Sequence, residues 1–294
     1  MNQTLSALNL DAHLRLARLD RPVGSLLLLW PTLAALWAAA EGLPPLLLIV
    51  VFVLGTFLMR SAGCVVNDIA DRNIDSAVRR TLDRPLATGE LTVRDAWLFF
   101  TLLIGLCAGL LVFLNPFTRW LAFGGVLITM AYPLMKRFTH MPQLVLGAAF
   151  SWGIVMAYGA VQGSVPAQGW LLFVASLFWI VAYDTLYAMA DREDDLKIGV
   201  KSTAILFGNA DRLAVGLLQA LTLFTLVLFG QRSEFGWIFY AGLAAVAALF
   251  IHQQRLIVRR APANCIRAFA NNIWVGFCLF AAVVCEFAVH EFQA

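Results

Sequence analysis

At 294 residues this chain is 61% hydrophobic and only 13% charged, with a formal net charge of +3. Soluble domains carry roughly 25% charged residues, so the composition excludes an ordinary soluble protein built on one large core. So small a net charge gives no reason to expect a nucleic-acid partner.

Residues 1–21 hold Asp11, Asp20 and three arginines, with no apolar run long enough for a cleavable signal. Leu5, Leu8, Ala12, Leu16 and Leu19 fall at helical spacing and predict a short amphipathic helix lying on the cytoplasmic surface. Residues 22–294 read as a single membrane-embedded domain. Nine apolar stretches follow one another, near 22–40, 44–67, 96–114, 117–134, 142–161, 168–190, 212–230, 234–252 and 268–289. Each is long enough to cross a hydrocarbon core of roughly 30 Å. The expected fold class is all-α, a polytopic membrane protein of nine transmembrane helices in contact with lipid. Pro31 falls inside the first stretch, a position that a membrane bundle tolerates.

Charge sets the expected orientation. All but three of the 21 Lys and Arg residues lie at the N-terminus or in the even-numbered connections; the exceptions are Arg60, Arg119 and Arg232. Cytoplasmic loops retain Lys and Arg, so the N-terminus is predicted inside and the C-terminus outside. The five cysteines form no CxxC pair and the four histidines have no metal-ligand spacing.

The second stretch closes on the phrase ADRNID at 70–75, and the sixth on ADREDD at 190–195, 120 positions later. The chain thus has two pseudo-repeated halves, each with an acidic motif. With only 18 Asp+Glu in the whole chain, gathering several at the ends of apolar segments is costly unless something cationic sits between them. On a helix Asn67, Asp71 and Asp75 share one face, Asp68 lies three residues before Asp71, and Arg60 falls on the same stripe. Asp191 and Asp195 are four apart, Tyr187 and Tyr183 continue their stripe, and Asp184 precedes Asp191 by seven. Stacked carboxylates repel one another, and a divalent cation removes that repulsion. Oxygen ligands without His or Cys suit Mg²⁺, which takes one or two carboxylates together with waters and phosphate oxygens.

Basic residues flank both motifs. Arg72, Arg79, Arg80 and Arg84 follow the first; Arg192, Lys197 and Lys201 follow the second; Lys136 and Arg137 lie in the connection between. Carboxylates, a metal and surrounding cations together describe a diphosphate site. For Arg79, Arg80, Arg259 and Arg260, topology and lipid-headgroup contact is an equal reading.

Asn67, Asp68, Asp71 and Asp75 spell NDxxDxxxD, and Asp191 and Asp195 spell DxxxD. This pair resembles the two motifs of the UbiA superfamily of intramembrane prenyltransferases, and the likeness runs from about Arg18 to the ninth stretch. The stretches LLLLWPTLAALW and YPLMKRFTHMPQLVLGAAF are similar to the bacterial branch acting on 4-hydroxybenzoate in the ubiquinone pathway. The resemblance implies a nine-helix bundle around a central cavity open to the cytoplasm, in the bacterial inner membrane. It implies Mg²⁺ held by Asn67, Asp68, Asp71 and Asp75 on one side and Asp191 and Asp195 on the other. Polyprenyl diphosphate is then the donor, and 4-hydroxybenzoate takes the chain on the ring carbon ortho to its hydroxyl. Asp71 and Asp191 are the expected catalytic carboxylates, with Asp191 a candidate base for the ring proton. Arg137 is the candidate clamp for the acceptor carboxylate, because a guanidinium makes a bidentate match. Arg60, Arg72, Lys136, Tyr187, Arg192, Lys197 and Lys201 complete the expected substrate-binding set.

Another aromatic acceptor, such as dihydroxynaphthoate, fits the same chemistry. A CDP-alcohol phosphotransferase resembles a different Gly/Ala-Arg spacing that neither acidic phrase has. A cation transporter would place its charges near mid-span. The donor's tail length and the oligomeric state are not set by the sequence.

Overall fold

The computed structural model describes residues 9–75 and 81–293 and contains helices and turns, with no strand among the described residues. The helices are α1 (Leu10–Leu16), α2 (Val23–Ala40), α3 (Leu46–Asp75), α4 (Val93–Leu110), α5 (Pro116–Phe138) and α6 (Pro142–Gln162). They continue with α7 (Ala167–Ile198), α8 (Thr203–Phe207), α9 (Asp211–Arg232), α10 (Trp237–Leu256) and α11 (Pro262–Gln293).

Local chemistry marks the ends. Thr92 and Asp95 form a capping box at the start of α4, satisfying two backbone donors reciprocally. Asn115 accepts the Thr118 N–H at 2.8 Å, with Pro116 in the first turn of α5. Gly163 and Gly199 close α6 and α7 in the left-handed conformation. Within α2, Pro31 removes one backbone donor, and the neighbouring Thr32 hydroxyl donates to the Leu28 carbonyl at 2.8 Å.

Among the described residues, eight helical segments are long and apolar enough to cross a membrane. The stretch that falls short among the nine expected is α5, which carries Arg119, two adjacent glycines and Pro133 within its length. It still forms a continuous 23-residue helix packed along α6 and touching α3.

α7 lies at the centre, packed against α6, α9 and α11; α2 fits between α6 and α11, and α4 lies against α3. Without a strong hydrophobic drive between helices in lipid, close packing of small residues holds such bundles together. Gly242 of α10 shows this: a side chain there would collide with Ala282 of α11. The outward faces carry large apolar groups, among them Leu213 and Phe224, as lipid contact requires. Trp120, Trp170 and Trp237 stand exposed within the first five residues of α5, α7 and α10, where indoles suit a membrane–water interface.

The five apolar positions of the expected amphipathic N-terminal helix do not share one environment. Leu5 and Leu8 lie outside the described residues. Ala12 and Leu16 of α1 are fully buried against Ala62, Val65 and Ile69 of α3 and Ala96 of α4. Leu10, Leu14 and Leu19 stay exposed, so the segment packs one edge on protein and leaves further apolar groups outside it.

Candidate active site

Both acidic phrases end long helices. α3 has 30 residues and α7 has 32, so at 1.5 Å per residue each runs about 45–48 Å, well beyond a hydrocarbon core of roughly 30 Å. The surplus carries the carboxylates out of the apolar layer while keeping them on rigid elements.

Between these ends opens a cavity of about 870 Å³. Asn67, Asp68, Asp71 and Asp75 line it from α3, and Asp184, Tyr187, Asp191 and Asp195 from α7. Its polar mouth also has Arg15, Arg18, Arg21, Arg84 and Lys201; its depth is apolar, reaching Phe52, Met59, Leu111, Val126, Trp152 and Met156.

The first motif is heavily ion-paired. Asp68 is 1% exposed, and charge that deep demands partners. Arg18 Nη2 donates to its two carboxylate oxygens at 2.9 and 3.1 Å, and Arg84 Nη1 lies 2.9 Å from Oδ1. The same Arg84 nitrogen donates to Asp75 Oδ2 at 2.7 Å. Burial pushes the Asp75 carboxyl above the ordinary carboxylate range, although Arg84 opposes it. Burial also disfavours the charge on Arg84, but Asp68 and Asp75 more than offset this and hold the guanidinium above its ordinary value.

Arg18 reaches this position through an unusual backbone. It sits just beyond α1 with φ of 58°, a left-handed conformation uncommon for a non-glycine residue. The turn carries the chain from α1 across the cavity mouth to α2. Its guanidinium is braced by the Arg15 carbonyl at 2.8 Å, and Arg15 is in turn paired with Glu90 at 2.6 Å.

Arg60 lies deeper on the wall. Its guanidinium faces the Phe150 ring, 5.5 Å from the centroid, and its buried Nε has no hydrogen-bond partner. Tyr187 packs on Phe269 with centroids 4.9 Å apart, and Lys201 Nζ donates to the Phe138 carbonyl at 3.3 Å.

Four expected substrate-binding cations stand elsewhere. Arg137, the expected carboxylate clamp, is exposed and absent from the cavity wall; its Nη2 donates to the Ala70 carbonyl at 2.7 Å. It ties the end of α5 to the first motif's helix, because the last turn of α5 points it across to α3. Arg72 is exposed and donates to the Ile69 carbonyl in its own helix. Lys197 is paired with Asp194 at 3.3 Å on the surface. Arg192 turns away from the cavity to the fully buried Asp211. The Lys136 side chain, Arg79 and Arg80 lie outside the described residues.

Arg18 was missed as a site residue by sequence reasoning. It lies 50 positions from Asp68, and the only signal was its place among three arginines before the first apolar stretch. Arg84 was visible as a basic neighbour, but its bridging of two carboxylates was not.

The two acidic motifs present carboxylate and amide oxygens to the cavity, and the Asn67 amide oxygen is buried without a hydrogen-bond partner. Among the described residues no three potential ligands form a preassembled cage. This donor set fits Mg²⁺, which keeps waters and phosphate oxygens in its shell and needs few protein ligands.

Comparison with known proteins agrees with this geometry. Residues 28–280 match the UbiA prenyltransferase family. The 4-hydroxybenzoate octaprenyltransferase of Pseudomonas aeruginosa is 56% identical over 275 residues, 94% of this chain and 93% of that protein. That of Chromohalobacter salexigens is 55% identical over 270 residues, covering 92% and 91%. Among solved structures, the apo form of a UbiA homolog from Aeropyrum pernix superposes with a TM-score of 0.79 at 22% identity, covering 90% of this chain and 98% of that one. A UbiA homolog from Archaeoglobus fulgidus bound to GPP and Mg²⁺ gives a TM-score of 0.66 at 20% identity, covering 92% and 99%.

Proposed function

The chain belongs to the UbiA prenyltransferase family, and from that premise we propose that it transfers a polyprenyl group from polyprenyl diphosphate to 4-hydroxybenzoate, releasing diphosphate. The new bond forms at the ring carbon ortho to the hydroxyl, a step of ubiquinone biosynthesis. The observation that carries this reading is one cavity with both acidic motifs at its polar mouth and an apolar interior behind them. A diphosphate with a hydrocarbon tail has the same two-part chemistry.

Asn67, Asp68, Asp71 and Asp75 on one wall and Asp191 and Asp195 on the other would hold Mg²⁺. Bound there, the metal supplies charge stabilisation for the departing diphosphate. The protein's own groups do the rest. Arg18, Arg84 and Lys201 offer cationic donors at the mouth for phosphate oxygens, the strongest class of hydrogen bond available to them. The apolar depth takes the isoprenoid adjoining the breaking C–O bond and excludes water that would capture the allylic cation. Arg60 replaces Arg137 as the clamp for the acceptor carboxylate: it lines the cavity beneath the motifs and carries a partnerless donor beside an aromatic ring. The electron-rich ring carbon attacks, and Asp191 receives the proton that the ring loses.

We also place residues 22–294 in the bacterial inner membrane as one catalytic domain, crossed by nine helices including α5. Residues 1–21 form a cytoplasmic segment whose described part straps the mouth. With native cysteines removed, a membrane-impermeant thiol reagent on intact cells should label Gln293→Cys and not Ser76→Cys; the reverse pattern would invert the topology.

The reaction is tested with detergent-solubilised protein, geranyl diphosphate, ring-labelled 4-hydroxybenzoate and MgCl₂. A prenylated aromatic acid should form, disappear with EDTA and return with excess Mg²⁺. Undiminished product in EDTA, or no product with the metal present, would refute the proposal.

A further inference from the structure

Arg192 adjoins Asp191 in the second acidic phrase, yet its side chain is spent on structure outside the cavity. Its Nη2 donates to the carbonyls of Ala204 at 2.6 Å and Gly208 at 3.0 Å, and to Asp211 Oδ2 at 2.5 Å. Asp211 is fully buried. Its other oxygen accepts from Arg260 Nε at 2.8 Å and from the Arg212 backbone N–H at 2.6 Å. Arg260 reaches on to the Asn209 carbonyl at 2.7 Å. One buried carboxylate thus joins the end of α7, the turn after α8, the start of α9 and the turn between α10 and α11.

Two backbone features converge on this cluster. Gly208 has φ 52° and ψ −122°, a region open essentially to glycine alone. Arg260 has φ 51°, left-handed without being glycine. The strain at Arg260 persists only where the surroundings enforce it, and together the two turns present the Gly208 carbonyl to Arg192 and the Arg260 guanidinium to Asp211.

Successive residues on a helix are about 100° apart, whereas residues four apart share a face. Anchoring residue 192 therefore fixes the rotation of α7 where Asp191 and Asp195 stand.

We infer that Arg192 is a positioning residue for the reaction: clamped through Asp211 and Arg260, it sets the rotation of the cytoplasmic end of α7 and so aims Asp191 and Asp195 into the cavity. The inference rests on the prenyl-transfer reading and deepens it. Arg192 does not touch the diphosphate; it acts through the two carboxylates beside it.

The test compares wild type, Arg192→Lys and Asp211→Asn in calorimetric titration with geranyl diphosphate in MgCl₂, in KM for each substrate, and in thermal unfolding. Lysine keeps the charge, but its ammonium ends one bond short of the Nη2 that meets the carboxylate and both carbonyls. Groups that orient ligand side chains typically change metal affinity or activity by about 10–100-fold. Arg192→Lys should therefore weaken geranyl diphosphate binding about tenfold or more and raise the donor KM in proportion, while the KM for 4-hydroxybenzoate stays within about twofold. Asp211→Asn should shift the same quantities in the same direction.

Glu286→Gln is the control. Glu286 accepts the backbone N–H groups of Gly236 and Phe239 at the far end of α10, so its loss should lower the unfolding temperature and leave donor affinity unchanged. Wild-type donor affinity in Arg192→Lys and Asp211→Asn would overturn the inference. So would equal losses for donor and acceptor that simply follow the unfolding temperature. If the wild type itself binds no geranyl diphosphate with Mg²⁺, the prenyl-transfer reading fails and the inference with it.

Discussion

The two acidic motifs occupy equivalent places at the ends of long helices, and the arginines next to them make different ion pairs. On α3 the arginines grip the motif carboxylates themselves: Arg18 and Arg84 on Asp68, and Arg84 again on Asp75. On α7 the grip is from behind, through Arg192 on Asp211, a residue outside the motif. The difference teaches that one repeated sequence phrase serves two mechanical states. On the proposed reading, Arg18 and Arg84 exchange contacts on the first motif for those of the substrate, whereas Arg192 orients the second through a pair outside the cavity.

The largest effect should come from removing one carboxylate of either motif. Asp71→Ala and Asp191→Ala should each lower turnover by at least about 10²-fold, the scale of losing a main electrostatic stabiliser. A large loss on one side only would break the comparison, because it would assign the chemistry to a single motif.

Arg84→Ala sharpens the contrast in stability. It leaves two buried carboxylates with a partner missing, and breaking a buried ion pair costs about 3–5 kcal/mol. A pronounced fall in the unfolding temperature is expected, together with a raised donor KM. An unchanged unfolding temperature would show that the latch on the first motif is not holding it.

A smaller effect separates Arg60 from Arg137. Arg60→Ala should raise the KM for 4-hydroxybenzoate about tenfold, the loss of one charge-assisted contact of roughly 1.5 kcal/mol, and leave the donor KM nearly unchanged. Arg137→Ala should act on both substrates together, since Arg137 holds the first motif's helix at Ala70. A selective acceptor effect at Arg137 would restore it as the carboxylate clamp and remove Arg60 from that role.

Much of this was legible in the sequence because it is written in local periodicity. Apolar runs gave the helices, and spacings of four and eight put Asn67, Asp71 and Asp75 on one face. The carboxylates of both motifs line the cavity, a placement that the spacings alone did not give. The cations were less legible, because a basic residue near a motif is compatible with every direction its side chain can take. Arg72, Arg192 and Lys197 lie beside the motifs in sequence and Arg137 in the connection between them, but all four point to carbonyls or to other carboxylates. Arg18 lies far from them in sequence and reaches Asp68 only because α1 packs on α3 and the backbone turns left-handed. Tertiary crossings of that kind leave no periodic trace. The helix α5 shows the complementary difficulty: its length reads as a span, while Arg119, its glycines and Pro133 dilute the apolar signal.

The central claim is that both motifs, held so differently, close on a single diphosphate. Calorimetric titration of geranyl diphosphate in Mg²⁺ into Asp71→Ala and, separately, Asp191→Ala tests it without relying on turnover. Each variant, folded by thermal unfolding and circular dichroism, should lose donor binding on its own, since a shared site cannot survive on one wall. Wild-type donor affinity in either variant would contradict the claim and divide the cavity into two independent sites.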